Sequence, residues 1–261
     1  MSDRVTVNLQ DGIADVRLNR PEKLNALDPA MFAALVDAGK CIAADASVRA
    51  VVLSGEGRGF CAGLDFKSFL GEGGDLLARE AESVANRAQR AAWIWHEVPV
   101  PVIAAIHGVA FGGGLQIALG ADVRYATAEA QLSVMEIKWG LVPDMTGTQT
   151  LRHLVRLDVA RELTFTGRIV HGVEAKEIGL VTRLEASPRD AALAMAREIA
   201  GRSPHAIRAA KKLLNASGYT SLEEGLALEA ALQTTLLGSP NQAEAVIANL
   251  EKRPPQFDDP K

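Results

Sequence analysis

The alternation of apolar and polar residues at the start of the chain predicts a β-hairpin. Apolar side chains alternate with polar ones over residues 5–9, and a second apolar run covers residues 13–18. The pair Asp11-Gly12 lies between them, and Asp-Gly is typical of the tight turns that join antiparallel strands. We therefore expect two antiparallel strands joined at this pair.

Helical and strand-like patterns then alternate. Asp28-Pro29 supplies an N-cap and a first-position proline for a helix, and a short apolar strand follows at residues 50–53. The spacing of apolar residues predicts a helix over about 75–96 and a buried strand over 100–106. The alternation indicates an α/β core whose loops carry the chemistry.

The pattern repeats after a glycine triplet and then changes. Residues 112–114 are all glycine and lead into an apolar helical stretch, and a strand follows at 122–126. From about Pro188 onward strand signals fade, and helices are predicted over residues 191–200, 204–215, 222–237 and 241–250. We predict a core over residues 1–187, a helical module over residues 188–261, and an extended tail or docked strap at the end.

Composition excludes several classes of protein. With 261 residues, 48% of them hydrophobic, the chain can bury one large core. Its first residues are acidic and polar where a signal peptide would need a continuous apolar stretch, and no later run reaches about 18 apolar residues, so we expect a cytoplasmic protein without a membrane span. The net charge of -4 lacks the footprint of nucleic-acid binding. Cys41 and Cys61 are too few for a zinc site or a disulfide framework, so we expect reduced thiols and no metal.

Two glycine-rich loops are candidates for chemistry. Residues 54–65 follow the strand that ends at Leu53, and residues 107–116 follow the next buried strand. Neither spacing fits a dinucleotide fingerprint or a P-loop. Backbone amides in such loops can bind an oxygen that becomes negative during a reaction. Taken singly, the first loop is equally well explained as an ordinary strand-to-helix connection, and the second as glycine selected for tight helix–sheet packing.

Together the two loops resemble the signature loops of the crotonase (enoyl-CoA hydratase/isomerase) family. Phe-Cys-Ala-Gly-Leu-Asp at residues 60–65 resembles the first motif, and Ala-Phe-Gly-Gly-Gly-Leu at residues 110–115 resembles the second. Further similar segments follow the family order at residues 19–27, 140–143, 147–149, 163–167, 175–181 and 252–257. The resemblance implies an α/β fold, a spiral of repeated ββα units with a C-terminal helical module.

The resemblance also implies an oxyanion hole. The backbone N–H groups of Leu64 and Gly113 occupy the positions that bind the thioester oxygen of an acyl-CoA substrate in the family. Coenzyme A would then enter as part of the substrate, and no separate cofactor is expected. The implied activity is that of an enoyl-CoA hydratase or isomerase in fatty-acid or related acyl-CoA metabolism.

The carboxylates leave the reaction open. Hydratases of the family place two glutamates at the reacting carbons, and this chain has Gln116 at the first position and Glu136 at the second. Glutamine cannot transfer a proton as a carboxylate does, so it can only orient a water or substrate. Asp144 matches an aspartate of dienoyl-CoA isomerases, although it can also be a helix cap before Gly147. Glu136 is the main catalytic candidate.

The presence of Gln116 in place of the first glutamate is compatible with two hypotheses. Gln116 favours double-bond isomerisation by Glu136, with or without Asp144, over two-glutamate hydration. The alternative is a catalytically weak acyl-CoA-binding or assembly protein of the same fold. A serine hydrolase is excluded because the chain has no G-x-S-x-G motif.

Ligand and partner residues follow from the same resemblance. Arg20 and Lys23 lie in a segment that the family uses beside the nucleotide, the carbonyl of Ala62 matches an acceptor for the adenine amino group, and Asp65 closes the first motif. Lys252 and Phe257 resemble a C-terminal segment that reaches the ligand of a neighbouring subunit. We therefore expect a homotrimer or a dimer of trimers.

Overall fold

The structure is a computed structural model that describes residues 3–69, 76–79 and 83–260. Within these ranges the strands are β1 (Val5–Gln10), β2 (Ile13–Leu18), β3 (Ala50–Gly55), β4 (Val102–Ile106), β5 (Val109–Phe111), β6 (Val123–Ala126), β7 (Gln131–Ser133), β8 (Val170–His171) and β9 (Arg183–Leu184). The α-helices are α1 (Pro29–Ala44), α2 (Phe66–Phe69), α3 (Arg87–Glu97), α4 (Gly113–Leu119), α5 (Gly147–Leu154), α6 (Leu157–Thr166), α7 (Gly172–Glu177), α8 (Pro188–Ala200), α9 (Pro204–Ser217), α10 (Leu222–Leu236) and α11 (Pro240–Glu251).

The predicted hairpin is confirmed. Strands β1 and β2 are antiparallel, and Gln10 pairs with Ile13. Asp11 and Gly12 both have positive φ, 52° and 75°, as a two-residue type I′ turn requires. The register therefore follows from the turn that the sequence contains.

Two sheets form the centre of the fold. The larger has the order β1-β2-β3-β4-β6-β9 and is parallel from β2 onward, and the smaller contains β5, β7 and β8. One isolated bridge joins Leu27 to Leu64, and another joins Cys61 to Ala110 of β5 in the smaller sheet. The α/β architecture agrees with the predicted fold class. Because parallel strands end at one edge, the loops after β3 and β4 meet there.

Helices cover both faces of the larger sheet. Val51 and Leu53 of β3 pack into the main core with α1, α3 and α4, whereas Ala50 and Val52 pack against α8 through Ala192 and Ala196. This alternation is the two-residue period of a strand buried on both faces. The boundary between residues 187 and 188 stays a prediction, and α8, the first helix beyond it, packs directly on the sheet.

The helix predicted over residues 75–96 is wrong in its first part. Residues 75 and 80–82 lie outside the described residues, and residues 76–79 and 83–86 form turns, bends and a bridge between Arg79 and Asn86. The helix begins at Arg87 because Asn86 and Gln89 form a capping box, in which each side chain accepts from the other's backbone N–H. Over the described residues upstream of Asn86, the apolar spacing therefore does not correspond to a helix.

The C-terminal part is helical with breaks where they were predicted. Helices α8 and α11 begin earlier than predicted because Pro188 and Pro240 occupy their first turns. The tail is a docked strap: Arg49 donates to the carbonyl of Phe257 at 2.8 Å, and Asn241 donates to the carbonyl of Asp258 at 2.8 Å. Among the described ranges, no helix combines the length and apolarity that a membrane crossing requires.

Candidate active site

The loop after β3 presents the backbone N–H of Leu64. Its neighbours form the bridge to Leu27: the N–H of Leu27 donates to the carbonyl of Gly63 at 2.8 Å, and the N–H of Asp65 donates to the carbonyl of Leu27 at 3.0 Å. Successive groups along an extended chain point in opposite directions, so the N–H of Leu64 points away from Leu27. Within the described part of the chain it makes no hydrogen bond.

The second amide lies close by. Gly113 is the first residue of α4, and its N–H has no partner within the described residues. Gly63, at φ +86°, comes so close to the second loop that a Cβ there would lie 2.6 Å from the carbonyl oxygen of Phe111 and 3.7 Å from the nitrogen of Gly113. The structure thus brings the two predicted residues, Leu64 and Gly113, to one place.

Both residues line a cavity of about 290 Å³. Its walls are mainly apolar, and Phe66 and Trp139 pack there with ring centroids 4.3 Å apart. The described lining residues are Phe32, Ala62, Gly63, Leu64, Phe66, Leu76, Leu77, Ala88, Phe111, Gly112, Gly113, Met135, Glu136, Trp139, Leu141, Asp144 and Met145. The titratable side chains in this set are Glu136 and Asp144.

Glu136 opens a short 3-10 helix, Glu136–Trp139, and its side chain turns into the cavity wall. It is only 8% exposed. Oε1 accepts a hydrogen bond from Nε2 of Gln116 at 2.6 Å, whereas the buried Oε2 has no partner among the described residues. Burial raises the pKa of Glu136, and the negative charge of Asp144 raises it further, against the lowering effect of the Gln116 hydrogen bond. The free oxygen therefore has the properties of a proton acceptor.

Gln116 lies behind Glu136 instead of at the cavity wall. It is 2% exposed, and its Oε1 accepts from the backbone N–H of Gly147 at 2.8 Å. Gln116 was predicted to orient a water or the substrate, but its two hydrogen bonds go to Glu136 and Gly147.

Asp144 lines the cavity and is not the cap of α5. The N-cap residue is Thr146, which makes no side-chain cap, and the N–H of Gly147 is already bound by Gln116. The helix-cap alternative is therefore wrong. Asp144 is an exposed residue in the single chain, yet partial burial of its carboxyl raises its pKa. Two carboxyls with raised pKa values thus face one cavity.

Arg20 and Asp65 bind each other. Arg20 is buried, its guanidinium lies 2.8 Å from the Asp65 carboxylate, and it donates to the carbonyl of Ala26 at 3.0 Å. The pKa of Asp65 is lowered, first by a hydrogen bond from Ser68 and then by Arg20. Neither side chain lines the described cavity wall, so this pair fixes the loop that carries Leu64.

The other predicted ligand residues are more dispersed. Ala62 lines the cavity, and its N–H donates to the carbonyl of Leu24. Lys23, the residue before Leu24, is exposed. Lys252 is exposed at the end of α11. Phe257 lies against Arg49, which precedes β3, whereas the Leu64 loop follows β3. In one chain the tail therefore does not reach the cavity.

Sequence reasoning missed the aromatic wall. Trp139 lies three residues after Glu136, and side chains three residues apart align in a 3-10 helix. That spacing was the signal that could have found it. Two histidines lie outside the described cavity wall: the ring of His96 stacks on that of Trp93 with centroids 4.2 Å apart, and His107 is hydrogen-bonded to the carbonyl of Gly57. In the described ranges no three His, Cys, Asp or Glu side chains are grouped to hold a metal.

The chain is similar to known proteins over almost its whole length. The sequence model of the family described as "Enoyl-CoA hydratase/isomerase" matches residues 8–260. The chain is 33% identical to mouse mitochondrial methylglutaconyl-CoA hydratase, over 94% of this chain and 79% of that protein. It is 34% identical to mouse mitochondrial Delta(3,5)-Delta(2,4)-dienoyl-CoA isomerase, over 94% and 78%. The crystal structure of an enoyl-CoA hydratase from Bacillus anthracis is similar at a TM-score of 0.89 and 31% identity, over 97% of this chain and 98% of that one.

Proposed function

The chain belongs to the enoyl-CoA hydratase/isomerase family, and we propose that it moves a double bond within an acyl-CoA thioester instead of adding water to one. The observation that carries the proposal is the pairing of Glu136 with Gln116. Glu136 lines the cavity and keeps one carboxylate oxygen without a hydrogen-bond partner among the described residues, whereas the amide of Gln116, at the implied second-glutamate position, is already hydrogen-bonded. Proton transfer therefore depends on Glu136, with Asp144 as the other acid in the cavity.

The mechanism begins with the thioester oxygen. It accepts hydrogen bonds from the N–H groups of Leu64 and Gly113, which stabilise the negative charge that develops there. Oε2 of Glu136 removes a proton from C2 of a 3-enoyl thioester, and the electron pair of that C–H bond spreads over the dienolate. Delivery of a proton to C4 then leaves the double bond between C2 and C3. Glu136 returns the proton, or Asp144 supplies one and the acids re-equilibrate.

Hydration makes a different demand on the same site. A water must be held and deprotonated while a proton is delivered to C2, which is the work of two glutamates in the hydratases that the chain resembles. Gln116 supplies neither a base nor an acid. We therefore expect addition of water to be the weaker activity.

Purified protein given a 3-enoyl-CoA and crotonyl-CoA separately tests the proposal. We expect conversion of the 3-enoyl thioester to the 2-enoyl thioester, and hydration of crotonyl-CoA slower by about 10²-fold or more, the contribution of one general acid or base. Fast hydration that persists in Glu136→Gln would contradict the mechanism. Tight binding without turnover of enoyl, dienoyl, malonyl and aryl thioesters would instead support an acyl-CoA-binding protein.

We further propose that the acyl group is uncharged. The relative described as methylglutaconyl-CoA hydratase acts, by its name, on an acyl group with a second carboxylate. Here the described cavity wall contains two acids and no Lys, Arg or His, and residues 70–75 and 80–82, which are not described, contain none in sequence. A second carboxylate would face Glu136 and Asp144.

Matched substrates test this selectivity. Two like charges about 5 Å apart at an effective dielectric constant of about 20 repel by about 3 kcal/mol. We therefore expect kcat/KM for 3-hexenoyl-CoA to exceed that for 3-hexenedioyl-CoA, which differs by a terminal carboxylate, by about 10²-fold. Equal values for the two thioesters would contradict an uncharged acyl group.

Assembly into a homotrimer or a dimer of trimers remains part of the proposal. Helix α10 has no buried residue in the single chain, Leu222 is 80% exposed, and Leu250 on α11 is 79% exposed. These exposed apolar side chains on two consecutive helices support an interaction surface on the C-terminal module. Lys252 and Phe257 would then contact the ligand of a neighbouring subunit, since in their own chain they lie away from the cavity.

A further inference from the structure

Both polar atoms of the Gln116 side chain form hydrogen bonds inside the protein. Its Oε1 accepts from the N–H of Gly147, and its Nε2 donates to Oε1 of Glu136. We propose that Gln116 is a positioning residue, a clamp between the start of α5 and Glu136 that fixes Oε2 as the oxygen that exchanges protons. The inference rests on the proposed function only in taking Glu136 as the acid–base group.

The backbone determines which way the amide points. The N–H of Gly147 can only donate, so the atom of Gln116 that it meets must be the carbonyl oxygen. The NH₂ group must therefore face Glu136, and Oε1 of Glu136 must accept. A proton taken up by Glu136 then resides on Oε2, the oxygen without a partner in the described residues.

Two glycines leave room for this clamp. A Cβ on Gly147 would lie 2.7 Å from Oε1 of Gln116, and a Cβ on Gly112 would lie 3.1 Å from Oε1 of Glu136. Any larger residue at Gly147 would displace the amide. The absence of a side chain at Gly147 and Gly112 therefore leaves space for the two hydrogen-bonded side chains.

The clamp also connects the two acids of the cavity. Asp144 lies three residues before Gly147, in the segment that leads into α5. Gln116 holds the N–H of Gly147 and the carboxylate of Glu136 with one side chain. It thereby sets the distance between Glu136 and the segment that carries Asp144. Positioning of this kind matters because small displacements of reacting groups cost large factors in rate.

Among the described residues, few groups face Glu136, so a change in its pKa can be assigned to one of them. Gln116 faces it from α4, and Asp144 faces it from the segment before α5. Within the described cavity wall, Glu136 and Asp144 are the titratable groups. Loss of the Gln116 donor removes an interaction that favours ionised Glu136, so its pKa must rise.

The test replaces Gln116 by methionine, which has similar length and no amide, with Gln149→Met as the matched control on the exposed side of α5. We expect Gln116→Met to move the acid limb of the kcat–pH profile upward by about one pH unit, the effect of a hydrogen bond to a charged group. At neutral pH kcat should fall about 10-fold or more with KM within about twofold, because substrate contacts are unchanged. Gln149→Met should change neither quantity.

A second readout does not depend on turnover. Infrared titration of ¹³C-glutamate-labelled protein, with Glu136→Gln as the subtraction reference, reports the ionisation of Glu136 directly. Gln116→Glu, which keeps the size of the side chain, should raise that midpoint through like charge and is the fallback should Gln116→Met not fold. A midpoint unchanged in the folded variants would overturn the clamp. A shifted midpoint in a protein without isomerase activity would keep the clamp and overturn the proposed function.

Discussion

Replacement of Glu136 by glutamine is expected to lower kcat for isomerisation of a 3-enoyl-CoA by about 10³-fold, within the range that positioned acid–base groups contribute. The reason is geometric: Oε2 is the free carboxylate oxygen of the clamped residue, and glutamine places an NH₂ group there that cannot accept a proton. The carbonyl of glutamine can still accept from Gln116, so the neighbouring structure is retained. KM should change little.

The pH dependence gives this prediction a sign. Burial and Asp144 raise the pKa of Glu136, so wild-type activity should increase with pH as the base ionises, with a midpoint above the ordinary carboxyl value of about 4.3. A carboxyl whose pKa is raised on folding lowers stability as the pH rises through its unfolded and then its folded pKa. At neutral pH the neutral glutamine avoids that cost, so the variant should unfold at the wild-type temperature or above it.

Stopped-flow or coupled spectrophotometric kinetics across pH, together with thermal unfolding, measure both effects. Glu129→Gln is the matched control, since Glu129 is exposed and lies outside the described cavity wall. It should retain wild-type kcat. A Glu136→Gln variant that kept kcat within about tenfold would assign the base to Asp144.

The parts of the fold that depend on residues close together in the sequence could be predicted from the sequence. Asp11-Gly12 fixes the hairpin because a two-residue turn with positive φ needs such residues. The start of α1 follows from Asp28, whose side chain accepts from the N–H of Met31. The start of α3 has an equally local cause in Asn86 and Gln89, but apolar spacing upstream of it indicated a longer helix.

The site divides in the same way. Leu64 and Gly113 could be proposed because the family resemblance concerns backbone positions, which persist whatever the side chain. Arg20 was predicted beside the nucleotide, yet its partner Asp65 lies far along the chain, and only tertiary structure shows the ion pair. The partners of Gln116 are likewise 20 and 31 residues away, so no local pattern reveals the clamp.

Replacement of Gly63 by alanine is expected to lower kcat by about 10²- to 10³-fold, as loss of one oxyanion-hole donor does. The residue has φ +86°, and a Cβ would lie 2.6 Å from the carbonyl oxygen of Phe111. Because this oxygen belongs to the backbone, the loops of Leu64 and Gly113 must move apart, and the two N–H groups can no longer converge on one oxygen. Raman spectra of a bound enoyl-CoA should show a less polarised thioester carbonyl.

Gly238→Ala separates this effect from the conformational cost of alanine at positive φ. Gly238 has φ +72°, and a Cβ there would meet nothing within 4 Å. Both variants carry the left-handed penalty of about 1–2 kcal/mol. Only Gly63→Ala adds the clash, so it alone should lose kcat and carbonyl polarisation, while both should unfold at a lower temperature than wild type. If the two variants had equal kcat, the positive-φ strain that they share would explain the whole change from wild type. The clash at Gly63 would then have no effect on kcat, and the thioester oxygen would not bind between Leu64 and Gly113.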